Sequence, residues 1–239
     1  MGLPSIGSAL IVHYVAFTYH QWYVDVMRFD DVVHTVADLP YFTGSLLLAG
    51  DRDQVDVRRQ LSRWKDAGKI VQLRRNLYVL AEPWRKVRPH PFLLANQIVR
   101  PSYVSLQSAL DHHGLIPEGV PVTTSVTTGR TTAYDTPLGR FTYRHIHEGI
   151  FFGYGREQVQ QGQEVFVADA AKALLDLVYL TPGGDEPAYL DALRLADLAP
   201  GHRDALLAHA RRWDKPKIHR AVDRILDQQQ DVSDGSDPR

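Results

Sequence analysis

The spacing of apolar residues changes several times along this chain, and each change predicts a different structural element. Between residues 53 and 67 apolar side chains recur every three to four positions, which is the period of an amphipathic helix. Asp53 is placed to cap the first turn of this helix. Its buried stripe would consist of Val57, Leu61 and Trp64. The segment is therefore predicted to be a helix that packs on one face and exposes the others.

The segments on either side of this helix complete a known arrangement. Before it, Thr43 is predicted to cap a short helix that ends at Leu48. After it, Gly68 would stop the helix, and the runs 69–73 and 76–80 predict two short strands joined by a tight basic turn. The order helix, turn, helix and two-stranded wing is typical of a winged helix-turn-helix domain.

Beyond the predicted wing the chain changes character, which indicates a second domain. Strand-like alternation dominates residues 122–147, and further strands are predicted at 103–105, 150–154 and 164–167. Asp169 is the expected N-cap of a helix that places Lys172 on its solvent face. Further helices are predicted at 92–99, 106–113, 188–198, 203–213 and 216–228.

The predicted fold class is therefore α+β, with an N-terminal winged helix-turn-helix domain followed by a mixed α+β domain closed by C-terminal helices. The boundaries follow the changes in pattern and composition. They are 1–26 for an N-terminal extension, 27–84 for the winged helix-turn-helix domain, 85–91 for a linker, 92–228 for the mixed domain and 229–239 for a disordered tail.

Residues 1–26 have an apolar middle but lack the preceding basic residues and the following small-residue cleavage site that a signal peptide needs. Met27 is a natural start. It precedes a predicted helix whose buried face would comprise Val32, Val33, Val36 and Leu39. We interpret residues 1–26 as an upstream extension that is not native to the domain. The alternative, an added element packed on the domain, stays open.

Charge is distributed unevenly along the chain. Residues 52–88 contain eleven basic and four acidic residues, a net charge of +7, whereas the whole chain carries −1, so the remainder carries −8. Such an asymmetry is expected of a DNA-contacting module, although most charge runs are solvated helix faces. Together with the helix-turn-helix order it favours double-stranded DNA as the partner. The predicted DNA-binding residues are Thr43, Ser45, Arg58, Arg59, Ser62, Arg63, Lys69, Arg74 and Arg75.

Little in the sequence points to catalysis or to a bound cofactor. The chain has no cysteine, which excludes disulfides and thiolate metal sites and agrees with a reducing cytoplasm, the expected location. No apolar run reaches the length of about eighteen residues that suggests a membrane span. Phosphate-binding, dinucleotide-binding, zinc-protease and nucleophile-elbow motifs do not occur. We therefore expect a protein that is not an enzyme and uses no cofactor.

Two histidine pairs are the candidates for a metal site. His145 and His147 lie two residues apart on a predicted strand, so both would face the same side and could share a metal. His112 and His113 follow Asp111 at a predicted helix end, where the helix dipole by itself favours histidine. Neither spacing supplies a third ligand, so the sequence favours the absence of a metal.

Three longer motifs resemble one protein family. They are L-x-R-W-x-x-x-G-K-I-x-x-L-R-R-x-x-Y, then Y-V-S-L-x-S-A-L-x-x-H-G-L, and then A-D-x-x-K-A-L-L-D-L. In this order, and over about residues 28–180, the chain resembles the AbiEi antitoxins of type IV toxin–antitoxin and phage abortive-infection systems. None of the three is a catalytic motif.

The resemblance implies a function. Members carry an N-terminal winged helix that binds inverted repeats in their own promoter and represses the operon, which implies pairing of protomers on DNA. Their C-terminal domain is associated with neutralising a nucleotidyltransferase-like toxin from the adjacent gene, without a stable complex. By position in the motif, the residues facing the major groove would be Arg58, Arg59, Ser62 and Arg63. Those on the wing would be Arg74 and Arg75.

Two other functions compete with this one. A ligand-responsive winged-helix transcriptional regulator would share the DNA-binding domain but contain an apolar pocket for a small molecule. A metal-dependent nuclease would use His145, His147 and an acidic partner. Separately, Arg130 and Arg140 lie near the threonine-rich strands and could extend a nucleic-acid surface, although strand propensity explains threonine more simply.

Overall fold

The structure, a computed structural model, describes residues 27–48, 53–117 and 119–234. The extension predicted for residues 1–26 lies outside these ranges. Within them helices and strands both contribute substantially, and the strands form two sheets. The α+β class predicted from the sequence is therefore confirmed. The described helices include none that is both long enough and apolar enough to cross a membrane.

The N-terminal part packs two helices against a small antiparallel sheet in which β3 lies between β1 and β2. Its elements are helix α1 (Phe29–Val36), strand β1 (Phe42–Thr43), a 3₁₀ turn (Gly44–Leu47), helix α2 (Gln54–Asp66), strand β2 (Ile70–Arg74) and strand β3 (Leu77–Leu80). Leu39 lies beyond the end of α1 and is 41% exposed, so its predicted place on a buried helix face was wrong.

Helix α2 forms as the sequence predicts, because its ends and its buried face are both specified locally. The Asp53 carboxylate accepts a hydrogen bond from the Val55 amide at 2.8 Å and so caps the first turn. Gly68 follows the helix with φ +69°, a left-handed conformation that glycine adopts without strain. The buried stripe consists of Val57, Leu61 and Trp64.

The segment before α2 differs from its prediction. Thr43 does not cap a full helix: its backbone pairs with Leu77, and only one 3₁₀ turn follows. The Thr43 hydroxyl contacts the Ser45 hydroxyl at 2.8 Å rather than a backbone amide. The Gly44 amide donates to Asn76 Oδ1 at 2.9 Å. Thr43 is therefore held in a strand by Leu77, and the Gly44 amide is held by the Asn76 side chain.

The hairpin β2–β3 is buried on both faces, so it does not project from the molecule. One face joins the core formed with α1 and α2, through Ile70, Tyr78 and Leu80. The other face belongs to the large core of the C-terminal part, through Leu73, Leu77 and Val79. The exposed residues of the hairpin are Arg74 at the end of β2 and the turn residues Arg75 and Asn76.

The C-terminal part is built on a six-stranded mixed sheet. Its strands are β4 (Ser102–Val104), β5 (Val122–Thr127), β6 (Thr132–Thr136), β7 (Gly139–His145), β8 (Tyr154–Val159) and β9 (Gln163–Ala168). The order across the sheet is β6-β7-β5-β4-β9-β8, with β5–β7 and β4–β9 parallel and the other neighbours antiparallel. The strand predicted at 150–154 is displaced, because residues 148–150 form a 3₁₀ turn.

Helices complete the core of this part. They are α3 (Pro91–Ile98), α4 (Leu106–His112), α5 (Ala170–Leu180), α6 (Pro187–Ala192), α7 (Pro200–Trp213) and α8 (Pro216–Asp234). Asp169 caps α5 as predicted, by accepting the Lys172 amide at 2.8 Å. Every residue from 170 to 178 is buried, including Lys172, so the predicted solvent-facing position of Lys172 was wrong.

The predicted linker, residues 85–91, is held by hydrogen bonds along its length. The Lys86 amide donates to the Ala37 carbonyl at 3.2 Å. The Gln163 side chain donates to the Arg88 carbonyl at 2.9 Å and accepts the His90 amide at 2.8 Å. Helix α3 already begins at the last residue of the predicted linker. The segment is therefore an ordered connection between the two parts.

The predicted tail, residues 229–239, starts too early, because α8 continues to Asp234. Gln229 is buried and accepts the Leu198 amide at 2.7 Å, while its own amide donates to the Ala196 carbonyl at 3.2 Å. These bonds tie α8 to the loop that follows α6. Helix α6 ends at Ala192, several residues before the end predicted for it.

Candidate nucleic-acid interface

Helix α2 presents a polar face away from its buried stripe. The exposed residues of this face include Arg58, Arg59, Ser62 and Arg63. Arg59 forms an ion pair with Asp56 at 2.8 Å, and Arg63 approaches the Gln60 side chain at 3.5 Å. Both contacts are exposed, and exposed pairs of this kind contribute only about 0–1 kcal/mol. The two guanidinium groups can therefore exchange these partners for a phosphate or a base at small cost.

The N-terminal half of α2 and the hairpin turn line one cleft of about 710 Å³. Its lining includes Ser45 from the 3₁₀ turn, Arg58 from α2 and Arg75 from the turn between β2 and β3. Tyr134 enters from β6 of the C-terminal part. Sequence reasoning identified the first three residues. Tyr134 gave no local signal, because only tertiary packing brings β6 to this cleft.

The turn between β2 and β3 is fixed from both of its flanks. Asn76 adopts φ +64°, and its side chain accepts the Gly44 amide. Arg74 donates to the Ile98 carbonyl at the end of α3, so its guanidinium joins the turn to the C-terminal part. Arg75 is exposed and has no ion-pair partner among the described residues. The turn therefore offers the Arg75 guanidinium to an anion while Arg74 is engaged within the protein.

Two predicted DNA-binding residues have other contacts. Lys69 is half-buried, and its ammonium nitrogen lies 4.6 Å from the centroid of the Phe29 ring, a cation–π contact with α1. Lys69 does not line the cleft. Thr43 is half-buried and contacts Ser45. The structure therefore groups four of the predicted residues at the cleft: Ser45, Arg58, Arg74 and Arg75.

A second cleft, of about 1080 Å³, also includes the hairpin turn in its lining. It adds Arg100 and Arg156, two arginines that lie outside the predicted DNA-binding set. Arg156 forms an exposed ion pair with Glu164 at 3.3 Å. These arginines add basic side chains from the C-terminal part beside the hairpin turn, in a cleft that Asp38 and Glu164 also line. Their distance along the chain from the basic segment explains why the sequence gave no sign of the grouping.

The His145 and His147 rings each bind a nearby backbone group. Strand β7 ends at His145, whose Nδ1 lies 2.8 Å from the Gly129 carbonyl oxygen. His147 lies beyond the strand, and its Nδ1 accepts the Gly149 amide at 3.1 Å. The fold therefore does not place both rings on one strand face, as a shared metal would require.

A buried polar cluster lies in the core of the C-terminal part. Lys172 Nζ donates to the Asp176 carboxylate and, at 2.8 Å, to the Tyr103 hydroxyl. The Ser105 and Tyr103 hydroxyls donate to the same carboxylate at 2.7 and 3.0 Å. Burial lowers the pKa of Lys172 and raises that of Asp176, while their mutual attraction opposes both shifts. Neither side chain is exposed, so we interpret the cluster as structural.

No protein-family model matches this chain, and a search of curated proteins finds no similar one. The resemblance to the AbiEi antitoxins therefore stays a prediction that rests on three motifs. The geometry itself shows that Arg58, Arg59 and Arg63 of α2 are exposed, and that of these three Arg58 lines the cleft together with the exposed Arg75.

Proposed function

We propose that this chain is a DNA-binding antitoxin of the AbiEi type, which represses its own operon and counteracts a toxin encoded nearby. The N-terminal part acts as a winged helix-turn-helix domain with α2 as the recognition helix. The observation that carries this proposal is the exposed arginine face of α2 beside the Arg75 turn. The partner is double-stranded DNA, and the function requires no cofactor and no catalytic step.

Helix α2 is proposed to enter the major groove, whose width admits an α-helix. Arg59 and Arg63 are four residues apart, so they lie on one face and can reach the same groove. A guanidinium that pairs bidentately with guanine contributes about 1–3 kcal/mol of discrimination against the wrong base. The exposed contacts of both arginines with Asp56 and Gln60 exchange readily for such a pair.

Arg75 is proposed to contact phosphate. A phosphate contact adds affinity and salt dependence but carries no sequence information of its own. Because β2 and β3 are buried on both faces, the turn that carries Arg75 is held in place before DNA arrives. Arg100 and Arg156 line the adjacent cleft and can extend the contact along the backbone. Inverted repeats in the promoter would require two protomers to bind one operator.

The antitoxin activity is assigned to the C-terminal part, on the strength of the two motifs that lie there. These motifs form β4 with α4, and α5 with its cap. Their polar residues, including Lys172 and Asp176, are largely turned into the core. The motif residues therefore build the core of this part, and contacts with a toxin or its target would involve the surface around that core. We propose that the toxin is counteracted without a stable complex.

A gel shift with the full-length chain on DNA from upstream of its own gene tests the repressor activity. We expect salt-sensitive retardation that survives non-specific competitor DNA and disappears when the inverted repeat is scrambled. Equal affinity for upstream and competitor DNA would contradict the proposal. The antitoxin activity is tested separately, by co-expression with the neighbouring gene. Failure to restore growth, with operator binding intact, would leave a repressor that is not an antitoxin.

A ligand-responsive regulator is the second candidate, because one pocket has the size of a small-molecule site. It measures about 590 Å³ and is lined by Phe151, Tyr154 and Phe166 together with Arg100. Three aromatic rings and one guanidinium suit a small aromatic anion. A thermal-shift screen of aromatic carboxylates would favour this function if one compound raised the melting temperature and also changed operator affinity.

A further inference from the structure

We propose that His112, His113 and Glu157 form a binding site for a divalent transition-metal ion, with Zn²⁺ as the cation that fits best. One ring nitrogen of each histidine and one carboxylate oxygen of Glu157 all lie within 4.8 Å of one another. In a tetrahedral site with bonds of about 2.1 Å, ligand atoms lie about 3.4 Å apart. Small rotations of the three side chains would therefore close the group around an ion.

The fold brings these residues together from two distant segments. Helix α4 ends at His112, and His113 follows as its C-cap residue. Glu157 lies in β8 at the edge of the sheet, 45 residues beyond His112. The side chains of His112 and Glu157 are 30% and 36% exposed, so a cation can reach them from solvent.

The hydrogen bonding of His113 prepares its ring for a metal. Its Nε2 lies 2.8 Å from the Ala168 carbonyl oxygen. A carbonyl can only accept, so Nε2 carries the proton and Nδ1 keeps the lone pair that a metal needs. Metal-binding histidines commonly donate their second ring nitrogen to a carbonyl or carboxylate in this way, which fixes both the tautomer and the ring orientation.

The contact between His112 and Glu157 joins a ring nitrogen and a carboxylate oxygen, the two kinds of atom that would bind the ion. His112 Nε2 lies 2.9 Å from Glu157 Oε2. An ion pair alone would account for this distance, with a proton shared between the two atoms. A cation that replaces this proton would bind both atoms, with their separation widened to about 3.4 Å, and would also recruit His113, which an ion pair does not need. The third residue therefore distinguishes a metal site from a surface ion pair.

The donor set selects the class of cation. Imidazole and carboxylate ligands without thiolate suit Zn²⁺, Co²⁺ and Ni²⁺ rather than Ca²⁺ or Mg²⁺, which prefer oxygen. Three protein ligands leave a fourth position for water. An ion here would join the end of α4 to the edge strand β8. None of the three residues belongs to the proposed DNA-binding set. Evidence against DNA binding would therefore not contradict the metal site, and evidence against the metal site would not contradict DNA binding.

The test uses the untagged full-length chain, freed of metal and titrated with Zn²⁺ by calorimetry and with Co²⁺ by visible absorption. We expect one ion per chain, the intense visible bands of tetrahedral Co²⁺, and a Zn²⁺-dependent rise in melting temperature. Glu157→Gln and His113→Ala should each weaken Zn²⁺ binding by at least the roughly 10–100-fold that loss of an outer-shell partner typically causes. His145→Ala removes a histidine outside the site and should change nothing.

Three results would overturn the site: no saturable binding by the wild-type chain, unchanged affinity in Glu157→Gln, or an equal loss in His145→Ala. Far-UV circular dichroism establishes that each variant is folded. Glu157→Gln acts from β8 and His113→Ala from the C-cap of α4, so a folding defect in one leaves the other as an independent test.

Discussion

The ammonium group of Lys172 donates a hydrogen bond to the carboxylate of Asp176 one turn along α5, and neither side chain is exposed to solvent. Removing one member of a buried ion pair leaves an uncompensated charge, which typically costs about 3–5 kcal/mol. Asp176→Ala should therefore lower the free energy of unfolding by that amount, as measured by urea denaturation. Lys172→Met with Asp176→Leu removes both charges and should be much less destabilised. Equal losses in the single and double variants would contradict this role.

Ser105→Ala should destabilise the protein less than Asp176→Ala does, although both residues belong to the same buried cluster. The Ser105 hydroxyl donates to Asp176 at 2.7 Å, and Ser105→Ala removes this one bond while leaving the ion pair in place. A hydrogen bond to a charged group contributes about 1.5–3 kcal/mol, so the loss should be smaller than for Asp176→Ala. The same denaturation experiment ranks the two variants. The reverse order would mean that the carboxylate is not the centre of the cluster.

The ionisation of Asp169 should make the free energy of unfolding depend on pH in the acidic range. Burial would raise the pKa of its carboxyl, but hydrogen bonds from the His209 ring and the Lys172 amide outweigh this effect and hold the pKa below its ordinary value. The unfolded chain therefore binds a proton at Asp169 more tightly than the folded chain does. The stabilisation is therefore complete above the unfolded pKa of about 3.9 and is lost as pH falls through the lower folded value.

Asp169→Asn tests this coupling, because asparagine keeps a capping side chain but cannot ionise. The variant should be less stable than the wild type at pH 7, and the difference should shrink as pH falls below about 4. Thermal unfolding across this pH range measures it. Asp169→Ala also loses the cap and should cost about 1 kcal/mol more at neutral pH. A difference that is independent of pH would exclude the coupling.

Arg63 and Arg75 should contribute differently to DNA binding. Arg63→Ala is expected to weaken operator binding by about 1–3 kcal/mol and to relax sequence preference, because it would remove the proposed base contact. Arg75→Ala should weaken binding to all DNA and reduce the slope of log K against log salt by about one. Fluorescence anisotropy on operator and scrambled DNA at several salt concentrations separates the two effects.

Arg220→Ala is the matched control for these arginines. Arg220 lies in α8, is 56% exposed and is paired with Asp185, whereas Arg59 is 60% exposed and is paired with Asp56. Its removal changes the net charge equally but should leave operator affinity nearly unchanged. If Arg59→Ala and Arg63→Ala also left operator affinity unchanged, the recognition face would lie elsewhere.

Replacing Gly44 with alanine, which adds only one methyl group, should destabilise the protein. A Cβ at this position would lie 2.6 Å from Asn76 Oδ1, the atom that accepts the Gly44 amide. Gly44→Ala should therefore cost about 1–3 kcal/mol and weaken DNA binding by displacing the Arg75 turn. Gly155→Ala has open space around its Cβ and serves as the control. Equal stability and affinity in the two variants would show that the close approach is not needed.

Sequence reasoning succeeded where the determinants are local. The Asp53 cap and the buried Val57 stripe of α2 lie within one helix, so propensity and periodicity suffice to place it. Thr43 was misplaced because its backbone partner, Leu77, lies far along the chain. Lys172 was misplaced because its environment depends on Tyr103 and Asp176. A signal was available, since α5 is apolar on nearly every side, as fully buried helices are.

The candidate sites show the same limit. The basic segment marks Arg58 and Arg75 from composition alone, because charge needs no tertiary information. Tyr134 reaches the same cleft only because β6 packs near the hairpin. Glu157 likewise meets His112 only because the sheet places β8 beside the end of α4. The spacing of His112 and His113 therefore could not predict Glu157 as a third ligand, because only the folded chain brings Glu157 to them.

The hairpin β2–β3 supplies one core with one of its faces and the second core with the other. Cutting the chain after residue 84 would leave Leu73, Leu77 and Val79 facing water, so the N-terminal part is not a detachable module. A chimera that joined this N-terminal part to an unrelated protein would expose the face of the hairpin that packs in the core of the C-terminal part. The smallest fragment that keeps both faces of the hairpin buried therefore includes the six-stranded sheet. A change in that sheet can therefore also shift the hairpin and the Arg75 turn that it supports.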